Sequence, residues 1–343
     1  MRHAAFVIVL AILLAIVLRR ASEDVSVHLV ADENGNEALV VSGVISNDPM
    51  LFMIDTGYAG PPVLSISYMA QGGVASGTIA QRYAAAAKNL RTTSTGEKNA
   101  AVNAFLRKNA CRTYTSGCTM NLMGIGITRQ SHGDMLLCNS LRLSDHPTFS
   151  SDVFVTNMLP LSVHILTMDF LLHRAPCVLM PRKGWMRFGV WDPVLRASFA
   201  FQTPKFVGGA MMVVMQVDGH PEPLRIIVDT GAAAPLSISN RTAAENIARA
   251  RERTQPLKTY QHGVNGEKIC CDVYNSDVRI GPHVVRGVQV FLNSTTSNSE
   301  SDGYAGIGLL RAFDLWISRN EIGFRASGLP PRTSAVSQGS CGE

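Results

Sequence analysis

The stretch "IDTGYAGPPVLSIS", residues 54–67, places an acid, Asp55, between two apolar runs. Asp and Gly both favour turns, so one copy of this pattern would be explained by a turn between strands. The chain holds a second copy, "IVDTGAAAPLSIS", at residues 227–239, with Asp229 at the matching position. The first copy is two residues longer after its Gly, so the stretches are related without being identical.

The similarity between the two halves extends beyond these motifs. An alternating stretch precedes each motif, at residues 38–57 and 211–231, and this pattern is typical of a β-hairpin. A strand, a turn and another strand follow at residues 141–157 and 278–293. Each half then closes with an apolar run that leads into a final strand. The sequence therefore predicts one mostly β unit that is used twice.

The two acids have a chemical use if the repeated units face each other across a pseudo-twofold axis. Asp55 and Asp229 would then meet at the interface, and two carboxylates about 3 Å apart cannot both ionise. Such a pair shares one proton, so one acid can deprotonate a water while the other protonates a carbonyl oxygen. The predicted chemistry is hydrolysis of a peptide bond without a covalent intermediate.

The residues beside each acid suit this task. Gly57 and Gly231 lack a Cβ, so backbone amides can approach the carboxylates closely. Thr56 and Thr230 carry hydroxyls that can donate and accept hydrogen bonds across the axis and fix one loop against the other. These four residues are predicted to support the two acids.

The two Asp-Thr-Gly motifs, each followed by a closing strand pair, resemble those of the bilobal aspartic proteases of the pepsin type. The second motif is also similar to that of the retroviral and retroviral-like proteases. The resemblance covers nearly the whole chain after about residue 22. It implies a mostly β fold with two pseudo-twofold-related lobes of the closed-barrel type and a cleft between them. It further implies an aspartic endopeptidase that acts on a peptide or protein and needs no cofactor or metal.

The C-terminal stretch "AGIGLLRAFDLWISRNEIGF", residues 305–324, also resembles this family. In the family, a Gly passes beneath the catalytic loop where a side chain would not fit, and this position is assigned here to Gly308. In the first half, Thr167 is the residue found where such a Gly is expected.

A flap is another feature that the resemblance implies, as a hairpin that folds over the substrate and carries a Tyr. Residues 113–126, "TYTSGCTMNLMGIG", are similar to it. Tyr114 is therefore the flap candidate and Gly117 its turn. A surface hairpin with an incidental Tyr is the alternative.

Two positions depart from the pepsin pattern. The residue after the first Gly is usually small and carries a hydroxyl that bonds the catalytic carboxylate, whereas this chain has Tyr58 there and Ala232 in the second half. Both are predicted to contact substrate. Without those hydroxyls the ionised form is less stabilised, so we expect a milder working pH than that of the stomach enzymes.

Tyr58 and Thr167 also support an alternative function, a catalytically weak or inactive relative that binds a peptide or protein partner in the cleft. A self-associating single-lobe unit is disfavoured, because the internal duplication already supplies both halves. A monomer is therefore expected.

The length of 343 residues suits two lobes. An Ala-rich, helix-prone insertion lies in the first half between the catalytic loop and Tyr114, in two pieces, and is expected to cover one end of the cleft. The predicted divisions are a signal peptide or membrane anchor (1–21), an N-terminal lobe (22–190), an inter-lobe linker (191–207), a C-terminal lobe (208–327) and a disordered tail (328–343).

The N-terminal region holds an unbroken apolar run from Ala4 to Leu18, followed directly by Arg19 and Arg20. The run is long enough for a signal peptide but short of the roughly 20 residues that cross a bilayer comfortably, so a cleaved signal and an uncleaved anchor both stay open. Either one predicts the secretory pathway and a lumenal or extracellular protein, anchored in the membrane if the segment is retained. We expect no long inhibitory propeptide before Asp55.

Asn240 and Asn293 begin Asn-x-Ser/Thr sequences, which predict glycosylation in a lumen. Asn293 is favoured, because Asn240 directly follows a strand that is predicted to be buried. The chain has seven cysteines, of which Cys111 and Cys118 could pair across the flap hairpin or remain free thiols.

The composition disfavours several other classes of protein. The net charge of +5 is mild, and its basic residues are scattered over two predicted helices, 79–91 and 243–253. This pattern favours solvated helix faces over a nucleic-acid site. No Cys-x-x-Cys, His-Glu-x-x-His or Gly-x-Ser-x-Gly sequence occurs, which argues against zinc and serine-hydrolase chemistry.

Overall fold

The computed structural model describes residues 23–33, 35–45, 48–65, 77–88, 95–109, 112–123, 128–143, 149–156, 164–262, 268–293 and 300–332. The predicted signal peptide or anchor lies outside these residues. Among the described helices, none combines the length and apolar character needed to cross a membrane. No group of three or more His, Cys, Asp or Glu side chains in the described part of the chain is arranged to hold a metal ion.

The described residues of the first half form ten strands, and the alternation of their apolar side chains decides which face each strand buries. In the third strand Phe52 and Ile54 are fully buried, while Met53 and Asp55 are partly exposed. The strands are β1 (Glu23–Ala31), β2 (Glu37–Ile45), β3 (Asp48–Asp55), β4 (Val63–Ser65), β5 (Arg112–Met123), β6 (Thr128–Leu143), β7 (Phe149–Thr156), β8 (His164–Thr167), β9 (Cys177–Met180) and β10 (Trp185–Phe188).

The second half repeats this alternation. Ile226 and Val228 are fully buried, whereas Ile227 is partly exposed. Asp229, the residue after the strand, is also partly exposed. The strands are β11 (Ala200–Gln202), β12 (Lys205–Val207), β13 (Ala210–Val217), β14 (Leu224–Val228), β15 (Leu236–Ile238), β16 (Leu257–His262), β17 (Lys268–Ile280), β18 (His283–Leu292), β19 (Gly303–Ala305), β20 (Phe313–Ile317) and β21 (Ile322–Ala326).

The two halves also share one topology. Strand β3 pairs in parallel with β8, and β4 pairs with β8 and β7. In the second half β14 pairs in parallel with β19, and β15 pairs with β19 and β18. The prediction of a mostly β fold with one unit used twice is therefore confirmed.

A further antiparallel sheet joins the two halves. It is formed by β11, β21, β20, β9, β10 and the first residues of β1. Trp316 in β20 lies opposite Val178 in β9, so the closing strands of both halves are hydrogen-bonded to each other. The segment 191–207, predicted as a linker, contains β11, β12 and a short helix.

Six helices occur among the described residues. They are α1 (Ile79–Lys88), α2 (Thr95–Lys108), α3 (Met168–His173), α4 (Pro193–Ala197), α5 (Arg241–Ala250) and α6 (Ile307–Leu310). Helices α1 and α2 are the predicted two-piece insertion. Tyr83 and Ala86 of α1 are buried in a cluster with Leu51, and Met53 packs against the same cluster. Helix α1 thus packs on the face of β3 that also carries Asp55.

The chain after β21 differs from the prediction. The amide of Arg332 donates to the carbonyl of Gly308 at 2.8 Å, and its guanidinium lies 2.6 Å from the mostly buried carboxylate of Glu37. Arg311 pairs with the same carboxylate. A disordered tail from residue 328 is therefore wrong for residues 328–332, since a buried carboxylate recruits cationic partners. Residues 333–343 lie outside the described part.

Candidate active site

The two Asp-Thr-Gly loops are joined by four hydrogen bonds between their threonines and the opposite backbone. The Thr56 hydroxyl donates to the carbonyl of Val228 at 2.8 Å, and the Thr230 hydroxyl donates to the carbonyl of Ile54 at 2.7 Å. Each hydroxyl also accepts the amide hydrogen of the other threonine, at 3.0 and 3.1 Å. Because both threonines are fully buried, these bonds are shielded from water and set the distance between the loops.

The glycines bring the acids into contact. The amide of Gly57 donates to Asp55 Oδ1 at 2.9 Å, and the amide of Gly231 donates to Asp229 Oδ1 at 3.0 Å. A Cβ on Gly57 would lie only 2.3 Å from Asp229 Cγ, and one on Gly231 only 2.4 Å from Asp55 Cγ. Each glycine therefore leaves room for the carboxyl group of the opposite loop. This is a second role, in addition to the backbone amide donation that the sequence predicted.

The two carboxyl groups titrate as a pair. Burial raises the pKa of Asp55 well above its ordinary value, and the negative charge of Asp229 and the hydrogen bond between the two carboxyls raise it further. Burial also raises the pKa of Asp229, but hydrogen bonds from Asp55, Gly231 and Ala232 oppose the change. Because both pKa values are raised and two adjacent carboxylates repel each other, the pair favours a form that holds one proton.

Tyr58 and Ala232 hold matching positions after the two glycines, and both are partly exposed. Their amides complete the support of the acids, because that of Tyr58 donates to Asp55 and that of Ala232 donates to Asp229 Oδ1 at 3.1 Å. The phenol of Tyr58 lies back over its own loop, close to Gly60. Burial and the charges of Asp55 and Asp169 raise its pKa, so the phenol stays neutral.

The glycine beneath the second catalytic loop is Gly306, which corrects the assignment of this role to Gly308. A Cβ on Gly306 would lie 2.1 Å from the carbonyl oxygen of Ala234 and 2.4 Å from that of Ala232. Gly308 packs two residues further on, where a Cβ would lie 2.8 Å from the ring of Pro235. This chain has two glycines here, and only the backbone path separates their roles.

Thr167 is the first-lobe counterpart of Gly306. The amide after Thr167 donates to the carbonyl of Tyr58 at 2.9 Å, as the amide after Gly306 donates to the carbonyl of Ala232 at 2.7 Å. The Thr167 hydroxyl donates to the carbonyl of Gly60 at 2.5 Å. The two extra residues of the first loop thus make room for a side chain that the second loop could not accept.

Asp169 was not singled out from the sequence, although it completes this arrangement. Its Oδ2 accepts the amide hydrogen of Gly60 at 3.0 Å. Thr167 and Asp169 therefore bind the carbonyl and the amide of the same loop residue. The only sequence signal for this contact is the two-residue difference in loop length, which shows that the first loop needs extra support but not which residue gives it.

The flap candidates lie on strand β5. Gly117 was predicted to form the turn of the hairpin, but it lies within β5, and the residues between β5 and β6, 124–127, are outside the described part. That assignment is wrong, because pairing of β5 with β6 continues to Met123. Tyr114 also lies on β5, and its side chain is outside the described residues.

The disulfides could only partly be anticipated. Cys138 in β6 and Cys270 in β17 are each disulfide-bonded, whereas Cys177 and Cys271 are free and buried. The predicted pair, Cys111 and Cys118, lies outside the residues whose side chains the structure describes.

The preference for Asn293 as a glycosylation site is wrong. Asn293 is 0% exposed, and its backbone amide donates a hydrogen bond to the carbonyl of Ile238. A glycan is bulky and requires a surface position. Asn240 is partly exposed, but its side chain caps α5 by accepting the amide hydrogen of Ala243 at 3.1 Å.

Comparisons with known proteins agree with this fold. A family model described as aspartyl protease matches residues 213–310. A search of curated protein sequences found no match. Among solved structures, the aspartic proteinase from Irpex lacteus superimposes with a TM-score of 0.52, covering 92% of this chain and 100% of that one at 13% sequence identity.

Proposed function

Since the chain has the two-lobed fold of the aspartic proteases, we propose that it is an aspartic endopeptidase with Asp55 and Asp229 as its catalytic residues. The observation that carries the proposal is the close approach of the two carboxyl groups, each of which fills the space that a Cβ on the glycine of the opposite loop would need. Burying two acids together is unfavourable for stability. Four threonine hydrogen bonds and two glycines without room for a Cβ hold them in this arrangement.

The proposed reaction starts with a water between the two acids. The water oxygen adds to the carbonyl carbon of the peptide bond while the Asp229 carboxylate takes a proton from that water. Asp55 gives its own proton to the carbonyl oxygen. The tetrahedral diol then collapses. Asp229 returns its proton to the leaving nitrogen while Asp55 takes a proton from a diol hydroxyl, which restores both acids.

A peptide or protein substrate would lie extended across the partly exposed face that carries both acids. Strand β5, with Tyr114, is the candidate for backbone hydrogen bonds to the substrate in the manner of strand addition. Tyr58 and Ala232 would contact the residues next to the scissile bond. We retain a monomer as the proposed functional unit, because one chain supplies both acids.

A non-catalytic binding protein is the second candidate, and Tyr58 is the residue that favours it. Its phenol takes the place of a small hydroxyl side chain next to Asp55. Thr167 no longer supports this candidate, because the enlarged loop accommodates it with a hydrogen bond to Gly60.

Hydrolysis of a mixed peptide library by the chain from residue 22, at pH 3 to 7, tests the proposal. The variants Asp55→Asn and Asp229→Asn keep the shape of each side chain but abolish proton transfer, so we expect losses of at least about 10²-fold each. A statine-type inhibitor should also stop cleavage. A folded wild-type protein that cleaves nothing, or an Asn variant that remains equally active, would exclude this function.

We also propose that the protein acts in the secretory pathway, in a lumen or outside the cell. The disulfide-bonded Cys138 and Cys270 support this, because disulfides persist in oxidising compartments. Thiol labelling of the protein from its native source is the test, and full labelling of Cys138 and Cys270 without reduction would contradict it.

A further inference from the structure

A polar cluster in the second lobe is not used by the proposed reaction. The side chain of Gln261, in β16, is only 6% exposed. Its oxygen Oε1 accepts from the hydroxyl of Ser237 at 3.2 Å, from the hydroxyl of Tyr304 at 3.5 Å and from the thiol of Cys271 at 3.5 Å. Three strands, β15, β17 and β19, thus present a neutral polar group to one buried amide.

The other end of this amide has no hydrogen-bond partner in the part of the chain that the structure describes. The Nε2 atom of Gln261 is buried and makes no hydrogen bond among the described residues. Exchanging the amide oxygen and nitrogen would let the nitrogen donate to Ser237 and Tyr304, but it would leave the oxygen in the unpartnered position. Buried polar groups are rarely left unpaired, because the loss of hydration is not repaid. The free end is therefore a place where an external polar group would be stabilised.

One member of this cluster, Tyr304, lies on the face that carries Asp229. Tyr304 pairs with Ile227 in β14 and with Ser237 in β15. Tyr304, Ile227 and Asp229 are all partly exposed, whereas Val228 between the latter two is fully buried. The charge of Asp229 acts on the Tyr304 phenol and contributes to raising its pKa, after burial, which places the two side chains close together.

The surroundings of the cluster are apolar. Ala234, from the second catalytic loop, and Ile269 pack against a buried group formed by Cys271, Val273 and Phe291. The position therefore combines apolar walls with a polar end at Gln261, directly beside the catalytic loop. This is the usual composition of a small-molecule or side-chain pocket.

The first lobe has an apolar side chain at the described counterpart of Tyr304. Ile165 in β8 pairs with Met53 in β3. In the second lobe Tyr304 in β19 pairs with Ile227 in β14 in the same way, so Ile165 is the counterpart of Tyr304. The side chain of Ile165 has no hydrogen-bonding group and is almost fully buried. The two sides of the site therefore offer different chemistry to a bound peptide.

We propose that the Gln261 cluster is a specificity subsite that binds an Asn or Gln side chain of the substrate next to the scissile bond. A carboxamide both donates and accepts, so it pairs with the free end of Gln261 in either orientation. A charged side chain would be buried without an ionic partner from the cluster, and a carboxylate would also be repelled by Asp229. Gln261 and Tyr304 are thus specificity-determining residues of the reaction proposed above, on which this inference rests.

Matched peptides that differ at one residue provide the test, with Gln, Leu, Glu or Lys placed in turn on either side of the cleaved bond. For wild type we expect kcat/KM to be at least about tenfold higher for Gln than for Leu on one of the two sides. Gln261→Leu should lose this preference while still cleaving the Leu peptide, which shows that the variant folds. Gln216→Leu, in β13 outside the cluster, is the matched control and should keep the preference.

The design separates the two proposals. Cleavage by wild type without preference for Gln on either side overturns the subsite and leaves the protease function standing. If wild type cleaves no peptide, calorimetric binding of statine peptides with Gln or Leu beside the statine replaces the kinetic readout. A Gln preference in binding that disappears in Gln261→Leu supports the subsite even then, and equal affinities overturn it.

Discussion

At the scale of single residues, Asp55 and Asp229 share one motif but differ in their electrostatic surroundings. Both accept two backbone amide hydrogens, yet the charge of the neighbour raises the pKa of Asp55, whereas the hydrogen bond between the carboxyls lowers that of Asp229. The proposed reaction, with Asp55 as acid and Asp229 as base, follows this asymmetry. The expectation of a mild working pH stays a prediction, and the raised pKa values of both acids agree with it.

The raised pKa of Asp55 has a consequence for stability. Its folded pKa lies above the unfolded value of 3.8, so the folded chain holds a proton that the unfolded chain releases. The free energy of unfolding should therefore fall as the pH rises from about 4 through the raised pKa. Asp55→Asn should remove most of this slope and should be more stable than wild type at pH 7.

Denaturant unfolding of wild type and Asp55→Asn from pH 4 to 8 measures this effect. Asp24→Asn, an exposed carboxylate away from the site, controls for the loss of any negative charge. Parallel pH profiles for wild type and Asp55→Asn would contradict the shared proton.

The stability of the chain should depend on the hydroxyl of Thr167. Thr167→Val keeps the volume and removes the hydroxyl that binds the carbonyl of Gly60. We expect a loss of about 1–2 kcal/mol in stability and a fall in kcat, because the loop that carries Asp55 is less well held. Urea unfolding and peptide kinetics measure both, and an unchanged kcat would show that Thr167 has no positioning role.

At the scale of elements, matching positions in the two lobes respond differently to the same side chain. A methyl group on Gly306 would lie 2.1 Å from a backbone carbonyl oxygen, whereas the first lobe carries Thr167 at this position. Gly306→Ala should therefore destabilise the chain by about 3 kcal/mol or more, since backbone must move to relieve the contact. Thr167→Ala, at the counterpart position, is the control, and equal thermal shifts for the two variants would contradict this account.

Helix α5 shows how one residue serves two elements. Asn240 caps the helix and donates to Asp302 Oδ1 at 2.7 Å, which ties the helix to the start of β19. Asn240→Ala should cost about 1–2 kcal/mol. Thr242→Ala removes the glycosylation sequence but keeps the cap, so it should change thermal stability by less than about 0.5 kcal/mol. A similar loss in both variants would show that the cap is not the cause.

At the scale of the whole molecule, the lobes are held together by the sheet that β9 and β20 share and by contacts of the C-terminal segment. Arg332 and Arg311 both pair with Glu37, which joins the start of β2 to the residues after α6. A chain that ends after Ser327 loses Arg332 and should be about 1–3 kcal/mol less stable. A chain that ends after Arg332 is the matched control and should unfold at a higher temperature than the chain that ends after Ser327. Equal melting of the two truncated chains would contradict a stabilising role for residues 328–332.

The sequence alone determined the repeated mostly β unit and brought both Asp-Thr-Gly loops to notice. This was possible because the alternation of apolar residues and the positions of turn residues are local properties of the sequence. A duplicated chain shows each of them twice. The same reasoning identified the helical insertion, since Ala-rich segments favour helices wherever they are placed.

Only the tertiary structure decided between neighbouring candidates. Gly306 rather than Gly308 passes beneath the second Asp-Thr-Gly loop, Gly117 lies in a strand rather than a turn, and Asn293 is buried rather than exposed. The polar cluster at Gln261 has no sequence signal at all, because its members come from four strands that are distant along the chain. Such contacts depend on strand register and on the space left by a missing Cβ, and neither is a local property of the sequence.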